Sequence, residues 1–170
     1  MIYENLIQEN KAAFLAKLTE ISAKLKVVPD WLMVVFKVES SINHRAINQV
    51  SGATGLIQFM PATATGLGTS TFALRNMSNV QQLDYVYAYF KPYAGRINSI
   101  TDLYTITFFP VALGKTDDFV LKTAKTSAGT IAAQNAAYDI NKDKQITYKE
   151  LKDSINSRVP SEAMIFLKKK

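Results

Sequence analysis

The chain has 170 residues, 48% of them hydrophobic and 20% charged. That length and composition support a folded domain with its own hydrophobic core and exclude a mainly disordered chain. The formal net charge of +6 favours an anionic partner such as nucleic acid, a membrane face or an acidic wall polymer. Half of this surplus lies in the three lysines at 168–170, and no basic stripe interleaved with aromatic residues occurs elsewhere. Nucleic acid is therefore not the expected partner.

The chain contains no Cys, which excludes disulfides, thiolate metal sites and a Cys nucleophile. Residues 1–10 carry two Glu and lack a basic region followed by an apolar core, so they do not predict a secretory signal. No apolar run approaches the ~20 residues that span a bilayer. If the protein acts outside the cytoplasm, we expect another route of delivery, or a larger parent chain.

The first predicted element is an amphipathic helix, because Phe14, Leu18, Ile21 and Leu25 recur at helical spacing. Pro29 then stands where a first-turn proline belongs. The run that follows, residues 31–36, is apolar on all sides and predicts a helix buried in the centre of the domain, or alternatively a buried strand.

Downstream, residues 40–54 predict a loop, because they are polar and show no period. A short helix is predicted to begin within 55–60 or at Pro61, with Gly66 and Gly68 at its end. The remaining segments predict helices separated by irregular or charged stretches, so the whole chain is expected to be mainly α. These helices are expected at residues 80–90, 101–113, 131–138 and 148–155.

Glu39 lies at the carboxyl end of the predicted buried helix, on the face that carries Leu32 and Val35. Apolar neighbours disfavour its charged form, and the negative end of the helix dipole acts in the same direction, so we expect its pKa to be raised. A carboxyl that stays protonated near neutral pH can act as a general acid. The alternative is a carboxylate that reaches solvent or pairs with Lys37 or Arg45.

The residues after this carboxyl form an ordered series: Glu39-Ser40, then Ala46, then GATGLIQFMPATA at 52–64. The series resembles the soluble lytic transglycosylases, relatives of goose-type lysozyme. Their pattern is Glu-Ser at the end of a central helix, followed by Gly-Ala-x-Gly-Leu-x-Gln-x-Met-Pro-x-Thr-Ala. The resemblance covers residues 31–64, about a fifth of the chain.

The resemblance implies a role for three side chains. Glu39 would be the acid/base that protonates the glycosidic oxygen between N-acetylmuramic acid and N-acetylglucosamine. Gln58 would lie in the substrate cleft, and Met60 would line it. The partner implied is the glycan strand of peptidoglycan.

Three small residues of the series have further interpretations. Gly52 and Gly55 allow positive φ and let the backbone approach a bulky sugar chain closely. Ser40 is expected to hold the Glu39 carboxyl or a sugar acetamide, and a helix C-terminal cap is the alternative.

The chain departs from the family pattern in two places. His44, the single histidine, stands where the family usually has Pro, and we interpret it as a loop substitution and not as a catalyst. The family's Ala-Tyr-Asn-Ala-Gly run, which supplies a cleft tyrosine, is absent as such. Residues 104–114, YTITFFPVALG, are the nearest candidate for its place. Tyr104 and Phe109 are the substrate-binding candidates there, with core packing as the alternative.

A second catalytic carboxylate is not evident, although glycosidases usually need a pair. In lytic transglycosylases the acetamide or 6-hydroxyl of the substrate takes that part and gives a 1,6-anhydro product. The resemblance therefore favours a transglycosylase over a hydrolytic lysozyme, with Asp84 and Asp102 left as possible partners.

Residues 139–150, DINKDKQITYKE, resemble an EF-hand calcium loop. Lys144 departs from the pattern, because the sharp turn there prefers Gly. The flanking residues 131–138 and 148–155 can supply the two helices, and a charged turn between helices is the alternative. The expected ligands are all oxygen atoms, the Gln145 one being its backbone carbonyl, and come from Asp139, Asn141, Asp143, Gln145, Thr147 and Glu150.

The prediction is a mainly α, lysozyme-like (lytic transglycosylase) fold with a C-terminal EF-hand-like loop. It is expected to be one catalytic domain over residues 1–170, with 130–157 as the calcium-binding helix-loop-helix. The expected function is cleavage of the β-1,4 bond of peptidoglycan, with structural calcium as the only cofactor. A hydrolytic lysozyme and a non-catalytic, calcium-stabilised glycan-binding or particle-assembly module are the alternatives. The expected place of action is the bacterial cell wall or periplasm, reached in a phage tail or another wall-penetrating assembly, or by separate export.

Overall fold

The structure is a computed structural model that describes residues 1–166; the lysines at 168–170 lie outside the described residues. Two compact units are present, one formed by Met1–Ile100 with residues 162–166, the other by Thr101–Ser161. The described part of the chain is helical, with isolated β-bridges and no strand, which confirms the mainly α prediction. No helix in residues 1–166 has both the length and the apolar character needed to cross a membrane. The single catalytic domain over 1–170 stays a prediction.

The first unit is built on α1. Its buried side chains are the four of the predicted stripe, Phe14, Leu18, Ile21 and Leu25, together with Ser22. α1 packs against both α2 and α5, and the rings of Phe14 and Phe36 meet edge to face at 6.2 Å between centroids. The five α-helices of this unit are α1 Lys11–Leu25, α2 Pro29–Ser40, α3 Pro61–Gly66, α4 Thr71–Asn76 and α5 Asn79–Phe90. Short 3-10 helices lie at Glu4–Leu6 and Lys91–Tyr93.

Helix α2 forms the centre of the core, as predicted. It begins at Pro29, whose ring fixes φ for the first helical turn. All six residues of 31–36 are fully buried. A helix that is apolar on every side is expected to be enclosed by neighbours, and here α1 is one of them. The last turn of α2 follows directly on this buried stretch.

Helix α5 begins with a capping box, in which Ser78 and Gln81 satisfy each other's backbone N–H groups. Asn79 in its first turn is buried and donates a 2.6 Å hydrogen bond to the backbone carbonyl of Glu9. On the edge toward α1, Asp84 lies 2.8 Å from the ammonium group of Lys17. These contacts fix the rotation of α5 about its axis.

One of the two predicted starts of the short helix is wrong, and one helix of this unit was not predicted. Residues 55–60 form a closed turn and not the start of a helix, because Gly55 and Gln58 both take positive φ, at 84° and 52°. Thr54 and Phe59 exchange backbone hydrogen bonds of 3.0 and 2.8 Å across the turn. Helix α3 therefore starts only at Pro61. Helix α4 was not predicted, because it buries a single residue and its sequence has no apolar period.

The second unit contains α6, which spans Ile100–Phe108, α7 Ala128–Gln134 and α8 Tyr148–Arg158, with a 3-10 helix at Pro110–Ala112. The helix predicted over 101–113 stops at Phe108 because the residue before Pro110 is forced out of the helical region, with φ −149° and ψ 76° at Phe109. A last 3-10 helix covers Ser161–Phe166, and its residues after Ser161 belong to the first unit.

The helix before the EF-hand-like loop ends earlier than predicted. Helix α7 starts at the Ser127 cap and ends at Gln134, whereas the sequence predicted helix to 138. Residues 135–138 form turns. Helix α8 begins at Tyr148 as predicted, with a capping box between Thr147 and Glu150.

Candidate active site

Glu39 lies in the last turn of α2 and is half-buried. The chain leaves the helix at once, because Ser41 and Ile42 both take left-handed φ, at 54° and 63°. Their N–H groups bond back to the carbonyls of Lys37 and Phe36 at 3.0 Å each. A β-branched residue at positive φ is strained, and such strain concentrates at functional sites. The sharp exit begins the loop that leads to the 54–59 turn.

Ser40 connects α2 to this loop. Its side chain is 9% exposed, and its hydroxyl lies 3.0 Å from the Phe36 carbonyl and 3.1 Å from the Leu56 carbonyl. The hydroxyl therefore joins the helix end to the turn formed by residues 54–59. Its expected contact with the Glu39 carboxyl or a sugar stays a prediction.

The turn over residues 54–59 carries the predicted cleft residues. Gln58 is half-buried, and its side-chain amide donates to the Gly55 carbonyl at 3.1 Å. Met60 is 47% exposed. A second bridge pairs Ile47 with Thr54, so the turn is held from both sides. The structure thus brings the Gln58 turn to the end of α2, the helix that carries Glu39.

Gln82 of α5, which the sequence did not predict as a site residue, holds the 54–59 turn in place. Its side chain is fully buried and makes three hydrogen bonds. Its oxygen accepts from the Leu56 N–H at 2.6 Å, and its amide donates to the carbonyls of His44 at 2.9 Å and Leu74 at 3.0 Å. One side chain therefore satisfies polar backbone groups of three separate segments: the 54–59 turn, the loop at His44 and helix α4.

Gly55 makes room for that side chain. A Cβ at this position would lie 2.5 Å from the Gln82 oxygen, and the backbone has φ +84°. The sequence interpretation was that Gly55 lets the backbone approach a sugar chain; in the structure its close neighbour is Gln82. The available signal was a polar residue at 82, on the apolar face that Val86 continues.

Tyr89, also on α5, is a second residue that sequence reasoning missed. It is half-buried, and its ring meets that of Phe59 edge to face, 6.2 Å between centroids. Burial, followed by the neighbouring Tyr93 and the charge of Glu39, raises the pKa of Tyr89 to about 12. The phenol therefore stays neutral near neutral pH, and Glu39 lies close enough to act on it electrostatically.

His44 lies at the start of the loop and is only 6% exposed. Its Nε2 is 3.1 Å from a carboxylate oxygen of Glu9, outside hydrogen-bonding geometry. Burial lowers the pKa of His44; the Glu9 charge acts against this, and Arg45 acts with it. A buried, neutral imidazole whose backbone carbonyl binds Gln82 supports a structural part in the loop.

The structure does not favour Asp84 as a second catalytic carboxylate. It is paired with Lys17 on the α1 side of α5, while Gln82 and Tyr89 contact the turn from another side of that helix. Asp102 lies in the second unit and is half-buried there.

Tyr104 and Phe109 also lie in the second unit. Tyr104 is 8% exposed within the buried part of α6, and Phe109 is half-buried just after that helix. Their contact with substrate stays a prediction.

The EF-hand-like loop has the backbone that its sequence predicts at the sharp turn, with Lys144 at φ +67°. The carboxylate of Asp139 accepts from the N–H groups of Asp143 at 3.1 Å and Lys144 at 3.0 Å. Ile146 is fully buried, and its carbonyl accepts from Leu121 at 2.8 Å. The loop is thus fastened to the rest of its unit by an antiparallel bridge.

Glu150 closes the loop from α8. Burial would raise its pKa, but hydrogen bonds from the backbone and hydroxyl of Thr147 and from the Asn141 N–H outweigh burial and lower it. Its carboxylate oxygens lie 2.9 and 3.2 Å from the Thr147 and Asn141 nitrogens. Among residues 1–166, no three or more His, Asp or Glu side chains stand together in an arrangement that could hold a metal. In this structure Asp139 and Glu150 bind backbone amides.

Part of the first unit matches a known protein family. Residues 18–92 match the family model described as Transglycosylase SLT domain. The matched segment includes Glu39, Gln58, Met60, Gln82 and Tyr89. The match and the helical structure support the lytic transglycosylase and lysozyme-like family, and they imply peptidoglycan as the substrate. No curated protein matches the chain.

Proposed function

We propose that this protein cleaves the β-1,4 bond between N-acetylmuramic acid and N-acetylglucosamine in peptidoglycan, with Glu39 as general acid and base. The observation that carries the proposal is the place of Glu39. It lies half-buried in the last turn of α2, next to the turn that presents Gln58, inside the segment that matches the transglycosylase domain. The charge of Glu39 also acts on the Tyr89 phenol.

The proposed reaction is a lytic transglycosylation. Protonated Glu39 gives its proton to the glycosidic oxygen as the bond from that oxygen to C1 of the muramyl residue breaks. The 6-hydroxyl of the same muramyl residue forms a bond to C1, and its proton passes to the Glu39 carboxylate. The products are a 1,6-anhydromuramyl end and a free N-acetylglucosamine 4-hydroxyl, and no water is consumed.

The variant Glu39→Gln tests the acid/base role. It removes the donated proton and keeps the shape, so cleavage of purified cell walls should fall by about 10²–10⁴-fold while the fold persists. Glu20→Gln is the matched control, because Glu20 is an exposed carboxylate of α1 that pairs with Lys17 and Lys24. We expect the control to clear a wall suspension at the wild-type rate. Full activity in folded Glu39→Gln protein would refute the assignment.

The products separate the alternatives. Mass spectrometry of digested peptidoglycan should show 1,6-anhydromuramyl ends, which are one water lighter than hydrolytic ends. Reducing muramyl ends throughout would make the protein a hydrolytic lysozyme. Binding to walls with no cleavage would favour the non-catalytic glycan-binding or assembly module.

We also propose that the loop at 139–150 binds calcium as a structural ion. The residues present fit the ion in chemistry: their donors are carboxylate, amide, hydroxyl and backbone carbonyl oxygens, which calcium prefers. The support from the structure is the left-handed Lys144 and the anchoring of Ile146 through Leu121. Asp139, Asn141, Asp143, Gln145, Thr147 and Glu150 would hold the ion, and Asp139 and Glu150 would exchange amide contacts for it.

Thermal unfolding tests the calcium proposal. An ion that binds the folded state alone stabilises it by about 2.7 kcal/mol at a hundredfold excess over Kd, so the midpoint should rise by several degrees with calcium and less with magnesium. Glu150→Gln should abolish most of this rise, and glutamine still fits the capping box with Thr147. Asp153→Asn is the control, because Asp153 is an exposed carboxylate of the same helix, paired with Lys149 at 2.6 Å. A midpoint indifferent to calcium and to EDTA would leave a charged turn.

The proposed place of action is the bacterial cell wall or periplasm, in a phage tail or another wall-penetrating assembly, or after separate export. The implied peptidoglycan substrate supports the wall. Binding of labelled protein to purified sacculi tests the site of action. Detection of the protein by mass spectrometry in purified phage particles tests the assembly.

A further inference from the structure

Helix α5 has two differently used edges. The edge toward α1 carries Asp84, paired with Lys17, and Tyr87, whose ring lies 5.6 Å from the ammonium group of Lys24. The edge toward the 54–59 turn carries Gln82 and Tyr89. The helix therefore separates a structural side from a side that faces the candidate site.

Three tyrosines follow the second edge at intervals of four residues: Tyr85, Tyr89 and Tyr93. Residues four apart are neighbours on one face of a helix. Tyr93 lies in the 3-10 turn that continues α5, and it is close enough to Tyr89 to affect it electrostatically. All three are half-buried. Each ring is therefore partly covered by the protein and partly open to solvent.

A short series of contacts connects this edge of α5 to the end of α2 that carries Glu39. The hydroxyl of Ser40, the next residue after Glu39, lies within hydrogen-bonding distance of the Leu56 carbonyl, and the Leu56 N–H bonds to Gln82. Two turns further along α5, Tyr89 packs on Phe59 of the same turn. Buried contacts thus connect the end of α2, the turn and the edge of α5 that carries the tyrosines.

We propose that Tyr85, Tyr89 and Tyr93 form a sugar-binding wall that holds the peptidoglycan glycan strand next to Glu39. The proposal rests on the proposed function and names the part of the site that binds the strand beyond the reacting bond. Tyrosine offers an apolar ring to the C–H face of a sugar and a hydroxyl for its polar rim. The three side chains extend over about 12 Å of helix, so they reach more than one sugar ring.

The binding test uses the Glu39→Gln protein, which holds glycan without cutting it, and purified soluble glycan strands as the probe. Tyr85→Ala, Tyr89→Ala and Tyr93→Ala should each weaken binding about tenfold, because truncation removes a central aromatic contact. Tyr89→Phe should keep most of the affinity, since the ring remains. Tyr87→Ala, on the α1 edge, is the matched control and should bind as the parent does.

The kinetic test uses the same substitutions in the active protein. KM for soluble glycan strands should rise about tenfold while kcat changes less, because the wall binds sugars away from the reacting bond. Parent-like binding and KM in Tyr85→Ala, Tyr89→Ala and Tyr93→Ala would overturn the wall, as would an equal loss in Tyr87→Ala. If Tyr89→Ala does not fold, the half-exposed Tyr93 and Tyr85 variants decide. A wild-type protein that cuts no wall would instead contradict the proposed function.

Discussion

Replacing Gln82 by methionine tests whether one buried side chain holds the turn that carries Gln58. Methionine is similar in length and unbranched, so it fills the same space without polar atoms. The variant loses the hydrogen bonds to the Leu56 N–H, the His44 carbonyl and the Leu74 carbonyl. All three lie where Gln82 is fully buried, so we expect water not to replace it.

The magnitude follows from those three groups. A buried polar group left unsatisfied costs about 1–3 kcal/mol. Taking the full range for the N–H and the low end for each carbonyl, the free energy of unfolding should fall by about 3–5 kcal/mol. For a chain of this size that corresponds to a midpoint lower by about 6–20 °C.

The assay is urea unfolding of the variant and of Gln8→Met, in which an exposed glutamine of the same unit is replaced. The control should stay within about 0.5 kcal/mol of the wild type. At a temperature where Gln82→Met is still folded, kcat/KM on wall fragments should fall about ten- to a hundredfold, because the turn with Gln58 loses its fixed position. Stability and activity equal to those of the control would refute the reasoning.

Three further substitutions test the same site. Gly55→Ala should lower the free energy of unfolding by about 2–4 kcal/mol, measured by thermal unfolding, because the added Cβ would meet Gln82 and the backbone has φ +84°. Gly66→Ala is the control, because open space surrounds Gly66, and its free energy of unfolding should be unchanged or slightly higher. Ser41→Gly should raise the free energy of unfolding by about 1 kcal/mol, because Ser41 is exposed at φ 54°, and an unchanged value would mean that the position is not strained. His44 has a folded-state pKa below its ordinary 6.5, so the unfolded chain takes up that proton first as the pH falls. Stability should therefore decrease as the pH drops below about 6.5 and level off below the lowered pKa. His44→Gln should remove this part of the dependence, measured by urea titrations from about pH 7.5 to pH 5; a wild-type profile in the variant would contradict it.

The sequence predicted the helices that bury a continuous apolar pattern. The stripe of α1 and the wholly apolar start of α2 were both confirmed, because hydrophobic period and Pro29 are local signals. Short elements were predicted less well: α4 buries one residue and has no period, and residues 55–60 turn where positive φ at Gly55 prevents a helix.

The candidate acid and its motif were also readable from the chain, because their spacing is contiguous along residues 39–64. Gln82 and Tyr89 were not, since they are distant in sequence from the turn they contact. A polar residue on an apolar helix face was the only local indication of Gln82. Tyr89 gave none, because half-buried tyrosines are ordinary on the surface of a helix.

The sequence by itself determined the helical class, the buried helix that carries Glu39 in its last turn, and the series of residues that resembles a transglycosylase motif. These depend on period, turn residues and order along the chain. Only the tertiary structure decided which side chain fills the space above Gly55 and which edge of α5 faces the Gln58 turn. The first outcome depends on hydrogen bonds and the second also on a ring contact, all between residues 26 to 38 positions apart in the chain. The second depends as well on how α5 is rotated in the core. No local sequence pattern encodes contacts over such separations or the rotation of a helix.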